Sequence, residues 1–198
     1  LNALVAPLLT GAIVYGSWRA AEAAAIGRGL QLDAPPPVAV ALAPLAAALA
    51  AVRGEWSVAT DAVVAVVTVA AIVDARTGFI FDSLTGLLVL ICLTVAAASG
   101  HMRASLVGAA VIGASLFVLY VLTLRRGIGL GDVKLAAGIG AGLGVLDGSI
   151  AIAASFVAGG IAGIWLVATG RARRDTALRF GPFLAVGTYT SVLVAAWR

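Results

Sequence analysis

Seven aspartates and two glutamates are the only acids in the 198-residue chain, and two of them stand where they could act as a pair. Asp74 closes the apolar run Ala70-Ala71-Ile72-Val73, and Asp132 lies in the stretch Gly129-Leu130-Gly131-Asp132. Two carboxyls brought close together cannot both ionise cheaply, so they tend to share one proton. The ionised partner can then take a proton from water while the protonated one polarises a carbonyl. The pair titrates as a unit, with no fixed acid and base. That is the chemistry of peptide hydrolysis. On position alone, each of the two also reads as a cap near a helix end at a membrane interface. The other acids suggest less chemistry. Asp61 and Asp82 read as caps near helix starts, Asp82 together with Ser83. Asp147 falls in a short turn before Gly148, and Asp33 and Asp175 lie in polar loops.

The elements that would hold the pair follow from composition. The chain is 62% apolar and 11% charged, with mean hydropathy +1.12; a soluble domain carries about a quarter charged residues. So few charges cannot cover a water-facing surface, and the hydrophobicity excludes disorder. A single cysteine, Cys92, excludes a disulfide scaffold or a zinc ribbon. The apolar runs are continuous rather than alternating, which favours helices over a barrel. The fold class expected is all-α, a polytopic membrane protein of about eight transmembrane helices. The candidate spans are 1–18, 36–52, 58–73, 84–99, 105–124, 133–146, 149–169 and 182–197, the sixth short enough to be a re-entrant segment. The first span lacks a basic leader region and reads as retained rather than cleaved. Residues 1–57 then form two N-terminal helices with a short cytoplasmic loop, and residues 58–198 a six-helix core.

Ten of the 13 basic residues fall in the loops after odd-numbered spans, among them Arg19, Arg28, Arg76, Arg125, Arg126 and Lys134. Cytoplasmic loops carry that excess, so both termini face outward. Spans 4 and 5 make a round trip between Asp74 and Asp132, which puts both acids on the cytoplasmic face. The Gly138–Gly144 stretch reads as close helix packing. The net charge of +4 belongs to this orientation signal. No basic run is interleaved with aromatics, so no nucleic-acid partner is expected.

With these residues in view, Gly127-Ile128-Gly129-Leu130-Gly131-Asp132-Val133-Lys134 resembles the GxGDxK signature of type IV prepilin peptidases, which are intramembrane-type aspartic proteases. Asp74-Ala75-Arg76-Thr77-Gly78-Phe79-Ile80-Phe81-Asp82 is similar to that family's first aspartate segment, and Phe180-Gly181-Pro182-Phe183-Leu184 to its C-terminal segment. The resemblance implies Asp74 and Asp132 as the catalytic pair. Gly129, Gly131, Lys134, Asp82, Gly181 and Pro182 would be supporting motif residues. It implies pilin-like precursors as substrates, each with a basic leader, a processing Gly and a hydrophobic helix, cleaved at the cytoplasmic side of the inner membrane. No cofactor or metal is implied, and the other partners are membrane lipids. Two departures stand out. Phe81 replaces the family's usual Pro, which makes the loop after Asp74 less rigid. The segment from Arg19 to Pro35 carries no cysteine where two-activity relatives have a Cys tetrad, which implies a peptidase without N-methyltransferase activity.

Alternative readings are a small proton- or cation-coupled transporter using Asp74 and Asp132, and a presenilin-like GxGD protease. The first would show broken helices at mid-membrane, and the second a Tyr where Val73 stands. Lys134, two residues from Asp132, points away from it on a helix and is expected to snorkel to lipid phosphates. His101 reads as a solvated loop residue, and Cys92 as a small apolar one.

Overall fold

The computed structural model describes residues 2–32, 57–123, 128–171 and 178–198. Within them the chain forms six helices: α1 (Asn2–Ile26), α2 (Val58–Thr77), α3 (Asp82–Ala98), α4 (Met102–Leu122), α5 (Leu130–Ala168) and α6 (Gly181–Ala195). Three of them, α2, α4 and α5, are long and apolar enough to cross a membrane, while α3 and α6 are shorter apolar helices. The expected span 36–52 lies outside the described residues. The described residues are thus all-helical, with three helices of membrane-crossing length, and the six helices overlap the other expected spans in order.

Central in the bundle is α2, which packs against α1, α3, α5 and α6. Thirteen of its 20 residues are buried, on every side of the helix, as the unbroken Val/Ala run requires. Ser57 starts α2 by accepting the Thr60 N–H at 3.0 Å. Gly78 ends it in the left-handed region (φ 73°), with its N–H on the Asp74 carbonyl at 2.8 Å. Ser57, and not Asp61, is thus the cap, and Asp61 is a buried first-turn residue. In mid-helix, Thr68 Oγ1 lies 2.8 Å from Tyr189 Oη, which ties α2 to α6.

Two expected boundaries move. Helix α1 does not stop at Trp18 but runs to Ile26. The Arg19–Glu22 pair at 2.6 Å and an alanine-rich tail, the best of helix formers, carry it on. The reversal between the sixth and seventh spans falls at Gly144 (φ 77°, ψ −173°), not at Asp147-Gly148. This break divides α5 into two arms that fold back on each other. A Cβ on Gly148 would lie 3.4 Å from Gly140 Cα, whereas a straight helix would hold those residues about 12 Å apart. Asp147 is in the second arm, where its carboxylate pairs with Arg198 and its carbonyl accepts from Ser191 Oγ at 2.6 Å.

The first arm of α5 packs through its glycines. Gly138 faces Leu88, Gly142 faces Val63 and Cys92, and Gly140 sits against the Gly108 carbonyl of α4. No side chain fits between those last two backbones.

Candidate active site

Three chain segments meet around Asp74. The acid is in the last turn of α2 and only 5% exposed. Its Oδ2 accepts the backbone N–H of Gly181 at 3.0 Å. Gly181 is the first residue of α6, and the next residue, Pro182, has no N–H to satisfy. Phe183 N–H is already given to the Phe180 carbonyl, so the orphan amide that opens α6 goes to Asp74. A Cβ at position 181 would stand 2.8 Å from that same Oδ2, so only glycine lets the helix start approach so closely. Arg179, just before, donates to the Ala75 carbonyl near the end of α2, a contact no sequence pattern announced.

Asp132 is held in the same style from its own side. It lies in the first turn of α5, 8% exposed, and its Oδ2 accepts the Gly129 N–H at 2.9 Å. This is one half of a capping box; Gly129 has no side chain with which to return the other half. The capping reading of Asp132 is therefore correct for one oxygen. The other, Oδ1, is buried and has no hydrogen-bond partner among the described residues. An oxygen left in that condition normally costs about 1–3 kcal/mol.

The loop between α2 and α3 draws the two acids together. Gly131 lies directly against Ile80, so that a Cβ there would come within 2.9 Å of Ile80 Cβ. The segment after Asp74 is thereby pressed onto the turn that carries Asp132, and the Asp74 carboxyl bears electrostatically on Asp132. Phe81, which stands where the resemblance expects a proline, is packed into this loop. It is 1% exposed, and the Arg28 guanidinium lies 5.0 Å from its ring centre. A buried aromatic supplies the anchoring that a proline ring would, with a cation over its face.

Asp82 and Lys134 are placed differently from expectation. Phe81, rather than Asp82, occupies the N-cap position of α3, with no side-chain cap bond. Lys134 Nζ lies 2.7 Å from Asp82 Oδ1, a pairing that the snorkelling expectation did not include. The first turns of α3 and α5 abut, which brings the exposed Asp82 carboxylate to the Lys134 ammonium. His101 is exposed and Cys92 buried, as expected. Among the described residues no group of three or more His, Cys, Asp or Glu side chains gathers as a metal site.

Residues 62–164 match the family described as the type IV leader peptidase family. The chain is 41% identical over 125 residues to a prepilin leader peptidase/N-methyltransferase of Burkholderia pseudomallei (strain K96243), which covers 58% of this chain and 39% of that protein. It is 40% identical over 89 residues to the protein of the same name from Xanthomonas campestris pv. campestris, 42% of this chain and 31% of the relative. With that of Aeromonas salmonicida the identity is 37% over 95 residues, 43% and 33% of the two chains. The chain thus spans about two fifths or less of the length of these relatives. No solved structure matches it significantly. A family match over more than half of the chain, covering both aspartates and the glycines around Asp132, shows that the chain belongs to the type IV leader peptidase family.

Proposed function

We propose that this chain is an intramembrane-type aspartic endopeptidase that removes the leader of type IV pilin-like precursors, with Asp74 and Asp132 as its catalytic pair. The observation that carries the reading is the half-used state of a buried acid. Asp132 spends Oδ2 on a backbone amide and keeps Oδ1 unpartnered beside a second buried carboxyl. In the reaction, the ionised carboxyl takes a proton from water as the water oxygen attacks the scissile carbonyl carbon. The protonated carboxyl gives its proton to the carbonyl oxygen. As the tetrahedral species collapses, one of its hydroxyls returns its proton to the ionised carboxyl, the C–N bond breaks, and the leaving amine takes the proton of the other carboxyl, so the pair again holds one proton. Gly181, Pro182, Gly129 and Gly131 act as positioning residues, holding the two carboxyls through backbone amides and close contacts.

The charge rule supports eight spans, with residues 1–57 as an N-terminal pair and 58–198 as the peptidase core. It also supports an active site on the cytoplasmic side of the inner membrane. The segment from Arg19 to Pro35 holds no cysteine, which supports cleavage without methyl transfer. The transporter reading loses ground because both acids lie at helix ends.

Incubation of the purified chain in lipid with a synthetic precursor tests the proposal. Mass spectrometry should find one cut after the basic leader and a mature product with a free, unmethylated amine when a methyl donor is present. An intact precursor would overturn the peptidase reading. On a Cys92→Ala background, Arg76→Cys should be labelled from the cytoplasm and His101→Cys from the outside; the reverse pattern would overturn the orientation.

A further inference from the structure

The two buried acids have unlike surroundings. Beside Asp74 stands a guanidinium. Arg179 donates to the carbonyl of Ala75, the next residue, and lies over the end of α2, where a Cβ on Gly78 would be 3.7 Å from its Nε. Its charge reaches the Asp74 carboxyl. For Asp132 the charged neighbour is the Asp74 carboxyl itself. The other cations described at this end are turned to other groups: Arg19 to Glu22, Arg28 to the Phe81 ring, Arg76 to the Trp18 ring and Lys134 to Asp82.

Arg179 also works together with Gly181. The Gly181 N–H is on Asp74 Oδ2 and the guanidinium is on the carbonyl one residue further along α2. A single hydrogen bond is a pivot; a second contact two residues away fixes the direction from which the amide meets the carboxyl. On the opposite side of the pair, Asp132 gives Oδ2 to the Gly129 N–H and keeps Oδ1 without a hydrogen-bond partner among the described residues. A proton on that oxygen disturbs no existing bond. An opposite charge nearby favours the ionised form of a carboxyl, and a like charge favours the neutral one. Two carboxyls in equal surroundings would have no such order.

Resting on the peptidase reading, we propose that Arg179 is a positioning residue that makes the two carboxyls unequal, with Asp74 the ionised base toward water and Asp132 the holder of the shared proton. The roles then close into a cycle. Asp74 takes a proton from the attacking water, and Asp132 gives its proton to the scissile carbonyl oxygen. As the tetrahedral species collapses, a hydroxyl returns a proton to Asp132, the C–N bond breaks, and the leaving amine takes the proton held by Asp74. Each acid ends as it began, with Arg179 again beside a charged Asp74.

The experiment follows cleavage, by the purified chain in lipid vesicles, of a synthetic peptide with a lysine-rich leader, a processing glycine and an apolar segment of about 20 residues. For Arg179→Gln, the acid limb of the kcat/KM pH profile is expected to move up by about one pH unit, because the charge that favours ionised Asp74 is gone. The alkaline limb, which belongs to Asp132, should move less. At the optimum, kcat should fall about tenfold with KM within about twofold, as slight misplacement of a reacting group does. Arg179→Lys keeps the charge without the planar fork and should bring the acid limb back to its wild-type position. An unmoved acid limb in Arg179→Gln, a parallel shift of both limbs, or no recovery in Arg179→Lys would overturn the assignment of roles. Hydrogen exchange is independent of turnover: the Gly181 amide should exchange several-fold faster in Arg179→Gln, and unchanged exchange would overturn the grip on α6. Failure of the wild type to cut the peptide would overturn the peptidase reading, while exchange at Gly181 would still report on Arg179.

Discussion

Three acids sit within a few turns of one another at one end of this bundle, and they are held in two different ways. Asp74 and Asp132 are buried, and each is fixed by a backbone amide from the start of a helix. Asp82 is exposed and fixed by the ammonium of Lys134. A backbone amide holds a carboxylate by one oxygen without supplying a full opposite charge, and it cannot swing away. A lysine supplies the full charge on a flexible stem, and such exposed pairs contribute only about 0–1 kcal/mol. The comparison separates two buried acids held through single oxygens, as the proposed chemistry requires, from an exposed acid tied to a neighbouring side chain. Sequence position alone does not make that distinction, since all three lie at helix ends.

Charge removal is the most direct way to break the comparison. Asp74→Asn and Asp132→Asn should each lower precursor cleavage by about a thousandfold or more, since an amide cannot relay the proton. Membrane insertion and helix content, read by fractionation and circular dichroism, should be retained. Asp82→Asn should keep measurable turnover; if it alone were inactive, the first catalytic acid would be Asp82.

Smaller perturbations sharpen the comparison. Gly181→Ala places a methyl 2.8 Å from Asp74 Oδ2 and should displace the carboxyl, with a loss in kcat on the order of 10²-fold, as misplacement by about 1 Å typically costs. The measurement is single-turnover cleavage, where a product-release defect would not register. Gly131→Ala drives a methyl into Ile80 Cβ at 2.9 Å and should cost roughly tenfold through lost alignment. Adding Ile80→Gly, which removes the opposing carbon, should recover part of that loss, a coupling that independent sites would not show. Smallest of all, Lys134→Met breaks only the exposed pair and should change thermal stability in detergent by less than about 1 kcal/mol.

Much of this arrangement was legible in the residues. The apolar runs gave the helices their order, and counting crossings placed Asp74 and Asp132 at the same end, where the structure has them. The close packing of Gly138–Gly144 followed from small side chains alone. What was not legible depended on contacts between segments distant in sequence. That Lys134 meets Asp82, 52 residues away, follows from the abutting first turns of α3 and α5. Arg179 on the Ala75 carbonyl spans 104 residues and Gly181 on Asp74 spans 107; neither leaves a local pattern. The reversal at Gly144 was obscured for the opposite reason, since several glycines in that stretch could take a positive φ and only packing selects one. Burial of the Phe81 ring beneath Arg28 is likewise a tertiary event that its place in the sequence does not announce.

The turn at Gly144 also bears on how such a protein is made. The arm before it, from Leu130 to Gly144, measures roughly 20 Å at 1.5 Å per residue, well short of a hydrocarbon core about 30 Å thick. Emerging from the ribosome by itself, it would be a poor substrate for the translocon. Joined to the longer arm by one residue, with no polar loop to hold the two apart, it would enter a bilayer as half of a hairpin. On that route the acid at its head would reach its place only once the chain that follows has been made, and the two aspartates would meet only after the second arm is in.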